Sequence, residues 1–247
     1  MQVTFCGTGS ALPSSTRLQT GIHIQHKSHH LLVDCGSGVM HRLAQAGIDH
    51  RSVDTVLLTH THLDHVADLA TLAKARYLDG HPEFTVIGPP GTRTSCETLF
   101  AIDNLRDRVA LTITEIDLDQ RTIDLGPHTI TYVGTAHTTQ SLAYRFGDAL
   151  TISGDTAPTP AVADMADGTE VFVHECSFTD DRTTETHTTP SALGELLETT
   201  GITVDRIVLT HLFPETEPYA ETVRQTVSGY TDATVQVAAD GTEISIG

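Results

Sequence analysis

The chain has 247 residues and carries 32 acidic against 14 basic side chains, for a net charge of −18 at pH 7. This length predicts a single domain spanning residues 1–247, and the acidity argues against a protein that grips nucleic acid through a basic surface. No apolar stretch approaches the length of a membrane span, and the N-terminus lacks a basic region followed by an apolar core. We therefore expect a cytoplasmic protein with no membrane partner.

The acidity itself has two interpretations. Only Lys27 and Lys74 are lysines, and with plentiful Thr and Asp the composition is typical of halophilic proteins from a high-salt cytoplasm. The alternative is an acidic interaction surface. Four cysteines show neither a C-x-x-C pair nor a disulfide framework, so we expect them to be reduced, with Cys6 and Cys35 in the core.

The first half of the chain alternates strand and helix patterns. A polar turn over 25–30 is expected to join two strands as a hairpin, which would place His26, His29 and His30 in a loop without metal. The predicted strands cover residues 3–5, 22–24, 31–33, 56–58 and 84–87, and the predicted helices run through 46, from about 67 to 77, and through about 104.

The second half repeats this pattern. Thr189 and Pro190 predict a helix start, with Thr as the N-cap, and Gly201 its end. Four or five short strands are predicted between 111 and 152, further strands over 171–173, 207–209, 234–237 and 242–246, and another helix over 219–227. Alternating strands and helices in both halves indicate two packed sheets with helices outside.

A dense group of ligand-type side chains follows the strand predicted at 56–58. His60 and His62 point the same way on an extended backbone, and Asp64 and His65 follow on the turn into a helix. Neutral imidazole with carboxylate suits zinc and related divalent metals. The alternative is a polar loop with surface histidines, but this spacing favours a metal site. Asp34, at an earlier strand end, can accept the spare N–H of a ligand histidine.

Three later residues of suitable chemistry also stand at strand ends. His137 follows the apolar run at 130–133, Asp155 lies just beyond the strand ending near 152, and His211 follows the strand at 207–209. One such residue alone is more often structural. A dinuclear site needs more ligands than residues 60–65 supply, and these three positions are the candidates for them.

The segment from His60 to His65 resembles the H-x-H-x-D-H signature of the metallo-β-lactamase superfamily, whose members are mostly metal-dependent hydrolases. The resemblance implies the metallo-β-lactamase fold, an α+β four-layer αββα sandwich. It also implies two divalent ions, Zn²⁺ or Mn²⁺, which would share a hydroxide. By that resemblance one ion is held by His60, His62 and His137, the other by Asp64, His65 and His211, and Asp155 bridges them.

Further segments resemble the ribonuclease Z branch. Residues 137–145 are similar to its H-x-x-x-S-x-x-Y-R stretch, 153–156 to S-G-D-T, 174–177 to H-E-A-T and 187–189 to H-S-T. The resemblance implies that Glu175 and His187 act together as the proton donor to the leaving oxygen. The alternative is that Glu175 only supports its strand end. The predicted catalytic residues are thus Asp64, Glu175 and His187.

Two departures from that branch concern RNA binding. Only residues 146–150 separate the Y-R strand from the next, so the arm that grips the tRNA elbow is missing. The family's H-F-S-x-R-Y stretch is here 211–215 without its Ser and Arg, and Ala157 stands where an Arg is usual. The metal ligands are kept, whereas the parts that grip tRNA are not.

We therefore predict a dinuclear hydrolase that cleaves a small phosphodiester, such as a cyclic nucleotide or short ester, by attack of a metal-bridging hydroxide. A tRNA 3′-end endonuclease (ribonuclease Z), with a partner subunit supplying the missing grip, is the first alternative. An ester, lactone or thioester hydrolase on the same metals is the second. The full ligand set argues against a metal-binding protein without activity. The oligomeric state stays open, with a homodimer among the alternatives.

The halophilic interpretation predicts a response to salt. Between 0.1 and 2 M KCl, screening of the self-repulsion should raise the melting temperature, by about 2–4 °C for each kcal/mol gained. Thermal unfolding followed by circular dichroism measures this. A melting temperature that stays flat or falls would contradict the prediction.

Overall fold

The computed structural model describes residues 1–247 and contains two seven-stranded sheets packed face to face. Helices cover the outer face of each sheet, so the predicted αββα sandwich is confirmed. None of the helices combines the length and apolar character that a membrane span requires.

Both sheets have the same internal arrangement, with three antiparallel strand pairs on one side and three parallel pairs on the other. The first sheet has the order β14-β1-β2-β3-β4-β5-β6 and the second β13-β12-β11-β10-β9-β8-β7. The strands are β1 (Gln2–Gly7), β2 (Gly21–His26), β3 (His29–Val33), β4 (Thr55–Leu57), β5 (Glu83–Gly88), β6 (Ala110–Glu115), β7 (Thr122–Leu125), β8 (His128–Gly134), β9 (Leu142–Phe146), β10 (Leu150–Ile152), β11 (Val171–Glu175), β12 (Arg206–Thr210), β13 (Thr234–Val237) and β14 (Glu243–Ser245).

Three buried apolar clusters hold the layers together. One of 22 residues lies between the sheets, and the other two pack the sheets against their helices. The helices are α1 (Val39–Gln45), α2 (Leu63–Val66), α3 (Leu69–Leu78), α4 (Thr92–Leu99), α5 (Pro160–Ala166), α6 (Pro190–Thr200) and α7 (Ala220–Ser228), with 3₁₀ turns at His50–Ser52, Ile102–Asp107 and Glu217–Tyr219.

Some predicted elements differ from the structure. The first hairpin is longer than predicted: His26 pairs with His29 in the ladder, so these histidines and His30 lie in strands instead of a loop. The helix predicted to reach about 104 ends at Leu99, and helix α5 was not predicted at all. Thr189 is the N-cap of α6 as predicted, but its side chain makes no capping hydrogen bond.

Gly36 connects the fold to the predicted metal-ligand segment. A Cβ at this position would lie 2.0 Å from the carbonyl oxygen of Asp64. The neighbouring Cys35 N–H donates to the carbonyl of His65 at 2.7 Å, and the N–H of Asp68 donates to Cys35 at 2.9 Å. The absence of a side chain at Gly36 therefore lets the segment with Asp64 and His65 lie directly against the end of β3.

Gly36→Ala should displace that segment. We expect a loss of about 1–3 kcal/mol of stability, typical of overpacking, together with weaker binding of Zn²⁺. Chemical denaturation and Zn²⁺ titration measure the two effects. Gly134→Ala is the matched control, because a Cβ there meets nothing within 4 Å. Equal stability of the two variants would show that the close approach at Gly36 is unimportant.

Candidate metal centre

The side chains that follow the parallel strands of both sheets converge at one site. The first sheet supplies His60 beyond β4, and the second supplies Asp155 beyond β10 and His211 beyond β12. Parallel strands present their carboxyl ends at one edge of a sheet, and this is where ligand sites of such sheets form. Segments far apart in the chain therefore meet here.

Three histidines form the first group. Nδ1 of His62 lies 2.9 Å from Nε2 of His60 and 3.1 Å from Nε2 of His137. Zinc at about 2.0–2.1 Å from each of its tetrahedral ligands would set these atoms roughly 3.3 Å apart. The group therefore needs only small adjustments to hold such an ion.

A carboxylate and two imidazoles form the second group. Oδ2 of Asp64 lies 3.6 Å from Nε2 of His65 and 3.4 Å from Nε2 of His211. All three side chains are buried. Their spacing is also that of ligands on a shared ion.

Asp155 lies between the two groups. Its Oδ2 is 3.8 Å from His60 and 3.9 Å from His137 on one side, and 3.5 Å from His65 and 3.3 Å from His211 on the other. Burial raises the pKa of this carboxyl, but the imidazoles of His211 and His65 outweigh burial, and the net pKa lies well below its ordinary value. Asp155 is therefore an ionised carboxylate placed to bridge.

The residues fit a pair of divalent cations. Nε2 of His65 and Nε2 of His211 are buried and have no hydrogen-bond partner in the protein, which is costly unless something else satisfies them. Burial lowers the pKa of His60 and of His62, so both imidazoles are neutral at pH 7, as a metal ligand must be. Two cations would bind these unpartnered nitrogens together with the carboxylate oxygens that face them.

A layer of hydrogen bonds orients these ligands. Asp34 accepts the N–H of His65 Nδ1 at 2.8 Å, as the sequence predicted, and the carbonyl of Thr186 accepts that of His137 Nδ1 at 3.0 Å. Asp34 and His211 both have φ near +60°, which is uncommon for residues with a side chain. A left-handed backbone conformation costs about 1–3 kcal/mol for each such residue, and such strained residues are typical of functional sites.

Glu175 and His187 form a pair beside the metal-ligand groups. Nδ1 of His187 donates to Oε1 of Glu175 at 2.8 Å, and a nitrogen of His187 lies within 4.8 Å of ligand atoms of His137 and Asp155. Burial lowers the pKa of His187, but the hydrogen bond and charge of Glu175 more than offset this, so its net pKa is raised. His187 therefore favours the protonated form more than an ordinary histidine.

The structure brings all the predicted site residues into this one place. Sequence reasoning missed the hydroxyls of Thr59 and Ser177, which bridge carboxylates to ligand histidines. It also missed Phe178 and Phe213, which lie against His187. Two of these belong to quoted stretches, since Ser177 ends the segment similar to H-E-A-T and Phe213 lies within 211–215, whereas Thr59 directly precedes the first ligand.

Comparisons with known proteins place this fold and site in a family. The chain is 27% identical to ribonuclease Z of Methanothermobacter thermautotrophicus, over 91% of this chain and 92% of that protein. Among solved structures it is similar to the metallo-β-lactamase fold protein YhfI of Bacillus subtilis, with a TM-score of 0.82, 23% identity and coverage of 100% of this chain and 99% of that one. It is also similar to the short form of human tRNase Z, with a TM-score of 0.79, 20% identity and coverage of 100% of both chains.

The fold and the cluster of histidines and aspartates define a metallo-β-lactamase superfamily protein of the ribonuclease Z-like branch. The family described as "Anti-Pycsar protein Apyc1" matches residues 1–231, and the chain belongs to it.

Asp155→Ala tests the proposed bridge. Because Oδ2 of Asp155 faces both groups, we expect the unaltered protein to bind two Zn²⁺ ions and the variant to bind fewer than two. Metal analysis after equilibrium dialysis measures this. Asp119→Ala, on an exposed turn, makes the same change of charge and should bind like the unaltered protein. Two tightly bound ions in Asp155→Ala would exclude the bridging role.

Proposed function

We propose that this protein is a metal-dependent phosphodiesterase that hydrolyses a small phosphodiester such as a cyclic nucleotide. The observation that carries the proposal is the Glu175–His187 pair, a proton donor held beside the ligand groups on His137 and Asp155. Two divalent ions bound by the seven ligand residues would polarise the phosphoryl group and activate water at neutral pH.

His187 is the group that gives a proton to the leaving oxygen. Its Nδ1 is occupied by Glu175, which leaves Nε2 free to meet a substrate. The His187 side chain is 14% exposed, whereas that of Glu175 is 1% exposed. His187 can therefore touch the substrate, and Glu175 acts through it.

Glu175 is held in place by the hydrogen-bond donors around it. Oε1 accepts the N–H of Thr156 at 2.9 Å, and Oε2 accepts the backbone N–H groups of Ser177 and Thr188 at 3.2 Å each. Backbone N–H groups can only donate, so the oxygens of Glu175 act as acceptors toward all three. The same carboxylate accepts the Nδ1 proton of His187 and holds that imidazole in place.

Two aromatic rings enclose His187 on one side. The centroids of Phe178 and Phe213 lie 5.7 and 5.8 Å from that of His187, and 4.5 Å from each other. This apolar wall limits the water around the imidazole and strengthens its interaction with Glu175. The proton is therefore directed toward the ligand groups.

The strand connections favour a small substrate over tRNA. Strand β9 turns into β10 through 147–149 alone, so no arm extends from this edge. Arg145, the arginine of the Y-R segment, donates to the carbonyls of Gly147, Met165 and Asp167 and to the carboxylate of Asp148. Its guanidinium is thus occupied by contacts within the protein. It offers little positive charge to the phosphates of an RNA backbone.

As part of the same proposal, we assign to this chain the role that the family description names, that of an anti-Pycsar protein. Cleavage of precursor tRNA, the activity in the name of the archaeal relative, is the rival outcome. A panel of substrates separates them: bis-p-nitrophenyl phosphate, cyclic nucleotides, a thioester and precursor tRNA. We expect turnover of the small diesters and slow or no cleavage of the tRNA. Site-specific tRNA cleavage with the small diesters untouched would make the endonuclease correct, and turnover of the thioester alone would favour the ester-type hydrolase.

His187→Ala tests the proton donor within the phosphodiesterase. We expect kcat to fall by about 10²–10⁴ on diesters with poor leaving groups, and by much less on p-nitrophenyl esters, which need little protonation. Steady-state kinetics on both kinds of substrate measures the difference. His41→Ala replaces an exposed histidine on α1 and should leave kcat unchanged. An equal loss on both kinds of substrate would rule out proton donation by His187.

A further inference from the structure

We propose that Ser177 is a positioning residue that fixes His211 for one of the two metal ions, and that Thr59 plays the matching part for His60. This rests on the metal binding proposed above, but not on the identity of the substrate. Each hydroxyl links a buried carboxylate to a ligand imidazole in its own half of the sandwich.

The contacts around Ser177 form a relay. Its Oγ lies 2.6 Å from Oε2 of Glu175 and 3.0 Å from Nδ1 of His211. Ser177 and His211 are buried, so neither group can turn to water instead. Glu175 ends β11 and Ser177 lies two residues beyond it, whereas His211 directly follows the neighbouring parallel strand β12.

The directions of these hydrogen bonds follow from the chemistry of each group. Ionised Glu175 can only accept, so the single hydroxyl proton of Ser177 goes to it. Oγ of Ser177 is then an acceptor toward His211, which must carry its proton on Nδ1. Nε2 of His211 is left as a bare lone pair, and this is the buried, unpartnered nitrogen that faces Asp64 and Asp155. Ser177 thereby selects the tautomer of His211 that can bind a metal.

The first half of the chain contains a counterpart. Oγ1 of Thr59 donates to Oδ2 of Asp34 at 2.7 Å and lies 3.1 Å from Nδ1 of His60. In each relay the carboxylate also takes a second histidine directly, His65 on Asp34 and His187 on Glu175, both at 2.8 Å. Even the longer contact recurs, from Thr59 Oγ1 to His65 Nδ1 at 3.5 Å and from Ser177 Oγ to His187 Nδ1 at 3.3 Å.

The two relays differ in what their second histidine does. In the first half, His65 is itself a proposed ligand, so Asp34 serves metal binding alone. In the second half, His187 is the proton donor, so Glu175 serves both His187 and, through Ser177, His211. Loss of Ser177 should therefore weaken one metal position and leave the Glu175–His187 pair in place.

The test uses Zn²⁺ alone and needs no substrate. His62→Ala leaves only the position of Asp64, His65 and His211 with its full set of ligands, and His211→Ala leaves only the position of His60, His62 and His137. Ser177→Ala is combined with each background, and Zn²⁺ affinity is measured by competition with a chelator. We expect Ser177→Ala to weaken binding about 10–100-fold in the His62→Ala background and not in the His211→Ala background.

Conservative and matched variants separate positioning from general damage. Ser177→Thr keeps the hydroxyl and should restore affinity. Thr169→Val removes a different buried hydroxyl, which bonds the carbonyl of Ala166 at 2.7 Å, and should have no effect on Zn²⁺. If Ser177→Ala does not fold, Ser177→Val is compared with Ser177→Thr, which has nearly the same shape but keeps the hydroxyl, and this pair carries the same comparison.

Each outcome decides the proposal. Unchanged affinity in both backgrounds, or equal losses in both, would overturn the role of Ser177. An unaltered protein that binds fewer than two ions would instead refute the proposed metal centre. Two ions with the expected selective loss, but no turnover of any small diester, would leave the relay standing and refute the phosphodiesterase.

Discussion

Oδ2 of Asp155 is the atom around which the ligand-type side chains of the two sheets meet. Imidazole nitrogens from both groups lie within 3.3–3.9 Å of it, two on each side. Like-charged or unpaired polar groups packed this closely, away from water, would be costly without compensating charge. The alignment of the sheets, the close approach at Gly36 and the left-handed backbone of Asp34 and His211 all maintain this contact.

Much of the site was predictable because its residues lie in recognisable local sequence patterns. His60 and His62 follow an apolar strand, and strand ends are where side chains can leave a sheet and converge. Even Asp155, which is distant in sequence, was found by its place beyond a strand together with its resemblance to a known motif. The order of strands and helices was also predictable, because apolar runs are local signals in the sequence.

The parts that were not predictable depend on contacts between distant segments. Ser177 meets His211 across 34 residues, and a serine among many hydroxyls gives no local signal of that contact. The first hairpin was predicted with a long polar turn, but pairing of His26 with His29 continued both strands, and Lys27 took positive φ in the short turn. Helix α5 is only seven residues long and owes its place to packing against the second sheet.

The four thiols of the chain have a consequence for which ions the centre can hold. All four are buried, and burial raises the pKa of Cys6 and of Cys96 to about 12 and that of Cys35 and Cys176 well above the ordinary value. Cys35 follows Asp34 and Cys176 follows Glu175, yet neither thiol joins a group of potential ligands. The centre is thus left to nitrogen and oxygen donors, which accept the borderline ion Zn²⁺ and the harder Mn²⁺, while the soft sulfur that would favour copper(I) stays protonated and out of reach.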